Sequence, residues 1–184
     1  MNRLVFLLAV YVLLAVQSGL APLWSFGSGG PNLLLILAAF VGTSAARTTV
    51  LFSLLLLGLL LDLQPGPTRA SGVILGPHAV GLLIGGYAVL QLRSLMFRES
   101  TVTIVIMTLV LGSLNAAIET LLYTLRGLPW LAGDPLPNGS LAQLGHELRQ
   151  VGYTAVVAVP LGLLLQATRR LWNFSATSKK DRIF

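Results

Sequence analysis

What most constrains this chain is a succession of apolar runs, several close to the ~20 residues that a helix needs to cross a ~30 Å hydrocarbon core. Short stretches rich in Pro, Gly and Arg separate them. The pattern predicts an all-α polytopic membrane protein forming one integral domain over 1–184, with six transmembrane helices near 4–21, 32–46, 48–62, 72–92, 101–125 and 151–168. Charge content points the same way: 10% of the residues are charged, against about 25% in an ordinary soluble domain. The absence of Cys excludes disulfides, thiolate metal sites and Cys nucleophiles.

The segments between the runs carry their own signals. Leu4–Val16 also fits the apolar core of a signal peptide, with Ser18-Gly19-Leu20-Ala21 as a cleavage site; a retained first span is the alternative followed here. The second and third runs flank Arg47, and two short helices joined by a turn avoid burying that residue mid-membrane, which costs at least ~2.5 kcal/mol. Gln64-Pro65-Gly66-Pro67 stops the third helix, and Gly76-Pro77 predicts a bend in the fourth where His78 enters. Between Arg126 and Ser140, Pro and Gly forbid a helix. Ser140 and Gln143 form a capping-box pattern. Leu141, Leu144, Leu148 and Val151 then lie opposite His146, Glu147, Arg149 and Gln150, so 140–150 reads as an amphipathic interfacial helix.

Charge sets orientation. With both termini cytoplasmic, nine of the twelve Lys and Arg residues fall inside, leaving Arg69, Arg126 and Arg149 outside, as the positive-inside rule demands. The net charge of +6 is then topological and calls for no nucleic-acid partner. The tail 169–184, where Trp172 and Phe174 stand beside Arg169, Arg170, Lys179 and Lys180, is expected to press on anionic lipid at about 1 kcal/mol per basic residue.

Polar residues inside the spans are few and patterned. On the fifth helix Thr101, Thr108, Gly112, Asn115, Glu119 and Tyr123 share a sector of roughly 80°. Helix packing accounts for such a stripe; so does a polar site completed by Glu119, about 27 Å along the helix and near its outer end. His78 lies at similar depth and shares a face with Gly81 and Gly85. Asp62 closes the third helix, where the macrodipole disfavours a carboxylate, so Arg69 or His78 is required nearby. Two expectations stand side by side: a cluster of Asp62, His78 and Glu119, with Asn115 below, open to the outer face, or the same residues as separate interfacial side chains. No His-Glu-x-x-His, Gly-x-Ser-x-Gly, phosphate loop or dinucleotide fingerprint occurs. A non-enzyme is therefore expected, with no catalytic, metal or cofactor residue assigned.

Pro31-Asn32-Leu33-Leu34-Leu35-Ile36 leading to Phe40-Val41-Gly42, then Gly58-Leu59-Leu60-Leu61-Asp62 before a Pro/Gly turn, resembles the bacterial rod shape-determining protein MreD family. The likeness continues through Gly85-Gly86-Tyr87 and a last helix with Tyr153 and Pro160-Leu161 before Arg169-Arg170. Asn32 stands where the family commonly has Asp; helix capping survives that change. The resemblance implies a fold similar to the substrate-binding subunits of energy-coupling-factor transporters. It also implies a scaffold role in the inner membrane: binding MreC, and helping couple MreB to RodA and a class B penicillin-binding transpeptidase in wall synthesis. The interface residues expected on that reading are Gly58, Asp62, His78, Thr108, Gly112, Asn115 and Glu119. The other reading is the substrate-binding subunit of a vitamin-type transporter, with the outer cluster as its pocket. Small residues six apart at Ala9 and Ala15, where such subunits often carry a closer Ala pair, favour the scaffold.

Overall fold

The segment Leu33–Ser44 has no polar face to offer, and a helix that is hydrophobic all round must be surrounded. In a computed structural model of the chain it is α2, the axis of the molecule, with every residue from Leu33 to Thr43 buried. The structure describes residues 1–24, 30–64, 76–94, 100–126 and 140–174. Around α2 stand α1 (Arg3–Trp24), α3 (Arg47–Leu63), α4 (Pro77–Leu92), α5 (Thr101–Arg126) and α6 (Ser140–Ala167), all five in contact with it. A short 3₁₀ turn, Arg169–Trp172, follows α6, and no strand occurs among the described residues.

Contacts at the helix ends show that the six helices alternate in direction. At one end, Gln17 of α1 accepts from the Leu33 N–H of α2 and donates to Gln64 after α3, while Asn32 caps α2 by accepting from the Leu35 N–H and its own N–H donates to Thr154 of α6. At the other end, Arg93 after α4 donates to the Ala45 carbonyl that closes α2, at 2.7 Å. There too Arg47 lies over the Tyr87 ring and Thr101 donates to Gln166. The first is called the polar end below and the second the basic end.

Apolar side chains lie on the outside as well as in the core. Leu4, Leu8, Tyr11, Phe52, Ile84, Val102, Leu121, Val156 and Leu164 are exposed on the outer faces of α1, α3, α4, α5 and α6, whereas Thr108, Asp62, Glu119 and Thr154 are buried. Two helices, α5 and α6, are long and apolar enough to cross a membrane; α2, with 12 residues, rises only about 18 Å.

Several sequence expectations need correction. Gly76-Pro77 does not bend the fourth helix but starts it: Gly76 has φ of 127°, a conformation side chains rarely adopt, and Pro77 occupies the first turn, where its missing N–H costs nothing. His78 is therefore one residue inside the start of α4, and the expected portion before Gly76 lies outside the described residues. The amphipathic stretch 140–150 and the last span are one continuous α6, which passes through Pro160. Trp172 does not face headgroups. It is buried against Phe40, edge to face at 5.2 Å, and stacks on Phe174, while its carbonyl accepts from the Asn2 N–H. An aromatic ring fits the gap that short α2 leaves at the basic end, and burial there outweighs an interfacial seat.

Candidate functional site

The expected pairing of Asp62 and His78 rests on more than side chains. Asp62 ends α3 and is fully buried at the point where α4 begins. Its Oδ2 accepts from the backbone N–H of Gly76 at 2.8 Å and of Ala79 at 3.3 Å, and its Oδ1 from that of His78 at 3.0 Å. These are the orphan donors of α4's first turn. Asp62 therefore caps the helix after its own, and α4's positive N-terminal end offsets the unfavourable C-terminal end of α3. The approach is close because α3 carries Gly58 one turn earlier: a Cβ there would collide with the Ala79 backbone.

The His78 ring bridges two carboxylates. Its Nδ1 lies 3.2 Å from Asp62 Oδ1 and its Nε2 3.4 Å from Glu119 Oε2. Helices α4 and α5 run antiparallel here, in a register that the glycines permit: His78 meets Glu119, Gly81 meets Asn115 and Gly85 meets Leu111. A side chain at 81 would displace Asn115, whose Oδ1 sits against that glycine. The face shared by His78, Gly81 and Gly85 is thus the contact face with the α5 stripe.

Beside this cluster is a cavity of about 40 Å³, room for roughly three waters. Its polar lining comes from His78, Asn115, Asn32, Glu147, Gln150 and Thr154. The last three belong to α6, whose polar side faces the bundle: Gln143 is buried and donates to Glu147 Oε1 at 2.8 Å, His146 Nδ1 is 3.9 Å from the same oxygen, and Thr154 donates to the Gln150 carbonyl. Leu141 and Leu148 point outward. The polar side of 140–150 is therefore an inner wall.

Asp62, His78, Glu119, Asn115, Gly58, Gly112 and Thr108 all turn into the bundle, so they form an internal cluster and helix contacts and not the outer surface expected of a partner interface. Thr108 is spent within its own helix, donating to the Ile104 carbonyl at 2.8 Å, and Gly112 admits Val151 of α6 and Leu35 of α2. Of the membrane-surface residues, Arg170 is exposed and Arg169 partly so; Lys179 and Lys180 lie outside the described residues, as does Arg69. Sequence reasoning missed Asn32, Glu147, Gln150 and Thr154 as cavity residues. The available signal was Gln143, Glu147, Gln150 and Thr154 at intervals of 4, 3 and 4, a polar stripe matching that of α5. Comparison with protein-family models, curated proteins and solved structures finds no match to this chain.

Proposed function

We propose that this chain is a polytopic protein of the bacterial inner membrane, with both termini cytoplasmic, and a non-catalytic scaffold of the rod complex. In that role it binds MreC and helps couple MreB to RodA and the class B transpeptidase. The observation that carries the membrane part is that apolar side chains cover the outer faces as well as the core. Contiguous large apolar side chains on the outside of five helices mark a surface meant for lipid or partner spans, and the polar stripes of α5 and α6 face each other and α4 inside. A bilayer favours that arrangement, since a polar side chain turned to lipid has no partner.

The scaffold part rests on the MreD resemblance in the order of motifs, and on the size of the polar cavity among the described residues. A pocket for a vitamin-sized ligand occupies about 300–1,000 Å³, whereas the polar cavity measures about 40 Å³. That difference favours an outer helical surface as the working part over a solute site. Purification in mild detergent followed by mass spectrometry tests the reading. Co-purification of a single-span periplasmic coiled-coil protein supports it; an associated ATPase pair overturns it in favour of the transporter subunit.

A further inference from the structure

We propose that the polar end is a proton-binding site, in which one proton shared between His78 Nε2 and Glu119 Oε2 fastens α4 to α5. The inference follows from counting hydrogens at three groups. Asp62 already accepts from three backbone N–H groups and faces His78 Nδ1 at 3.2 Å. An ionised carboxylate only accepts, so Nδ1 is the ring nitrogen that carries hydrogen. A neutral imidazole has a single N–H, which leaves a lone pair on Nε2. That lone pair lies 3.4 Å from a carboxylate oxygen of Glu119, a residue 3% exposed. Two acceptors in buried contact repel; one added proton, on Nε2 or on the Glu119 carboxyl, makes the contact attractive. The two placements are one bound proton, and its titration belongs to the pair.

Among the described residues the other ionisable groups at this end of the bundle are these, with Arg126 in the last turn of α5. Helix α3 supplies Asp62, α4 supplies His78, and α5 supplies Glu119 with Tyr123 a turn beyond it. From α6 come His146 and Glu147, while Arg149 turns back to its own Gly145 carbonyl; the wall from α2 is the uncharged Asn32. The cavity gives the proton its path. His78 lines it together with Asn115, Gln150 and the partly exposed Glu147, and a polar space of that size has room for water to carry a proton outward. On release, the proton passes from the pair to cavity water, and the α4–α5 register loses its outermost contact. This site is read from α3, α4, α5 and α6 alone and does not depend on the scaffold reading.

Glu119→Gln is the informative variant, because a Gln amide N–H can donate to Nε2 of a neutral ring and so replace the proton. The full chain, reconstituted in lipid nanodiscs with ¹⁵N-labelled histidine, is titrated between about pH 5 and 8, the window in which histidine charge is tuned, and the His78 signals are identified by their loss in His78→Gln. In the wild type the Nε2 signal is expected to move with pH and the thermal midpoint to fall as pH rises, because the folded form holds a proton that the unfolded form releases. In Glu119→Gln the Nε2 signal is expected to be flat and the midpoint to rise with pH instead of falling, because the unfolded form then binds a proton that the neutral folded ring does not. Identical His78 titrations in the two proteins overturn the proposal, as do identical pH profiles of the midpoint. Should the variant fail to accumulate, the wild type alone decides: an Nε2 that bears a lone pair, unchanged across the range, overturns it.

Discussion

Asp62 shows how one side chain can serve two helices. Its position at the C-terminal end of α3 is unfavourable by itself, and full burial would compound the cost, yet three backbone donors of α4 surround it. Asp62→Asn keeps the size but can accept at only one atom, leaving an amide NH₂ against an N–H donor. An unfolding titration in detergent is expected to show a loss of about 1–3 kcal/mol, the usual cost of a buried donor left without a partner; an unchanged midpoint would remove Asp62 from the cap. The requirement for a compensating group was legible in the sequence, because helix polarity follows from chain direction alone. That the compensation comes chiefly from backbone N–H groups was not, because it depends on how α4 approaches.

Helix pairing is decided by where the backbones can touch. Gly58 meets the Ala79 backbone directly, whereas a Cβ at Gly152 of α6 would meet nothing within 4 Å. Gly58→Ala is expected to destabilise by about 1–3 kcal/mol through overpacking, and Gly152→Ala to be neutral or stabilising by about 0.5–1 kcal/mol, as Ala is in a helix interior. Equal midpoints for the two variants would mean that α3 and α4 are not held at this distance. The small residues of α4 were visible in the sequence as a face, and that face is the one against α5. The placement of 140–150 was misread for a specific reason: an amphipathic pattern was taken for an interfacial helix, whereas Leu141 and Leu148 point outward and Glu147 and Gln150 line a cavity inside the bundle.

Taken whole, the alternating helices separate a polar end from a basic one. Arg47 and Arg93 stand at the basic end, close to the breaks where α2 meets α3 and where α4 stops. Because the chain has no Cys, single cysteines report cleanly on sidedness. Leu141→Cys and Leu171→Cys are both well exposed, at 84% and 62%, and lie at opposite ends. In intact spheroplasts a membrane-impermeant maleimide is expected to label the first and to reach the second only after permeabilisation. Labelling of both from one side would contradict the proposed inner-membrane topology.

Hydrophobic content and the spacing of breakers determined the number of helices, their order and the break at Ala45-Ala46, because those features depend on each segment's own need to bury apolar surface and satisfy its backbone. The α5 stripe was determined in the same way, since helical periodicity alone brings Asn115, Glu119 and Tyr123 to one face. Tertiary structure decided which helix is central, that Trp172 fills the space beneath Phe40, that Asp62 caps α4, and that His78 stands between two carboxylates. Those outcomes turn on distances of a few ångströms between elements far apart in the chain, set by where glycines let backbones approach, and no local pattern encodes such distances.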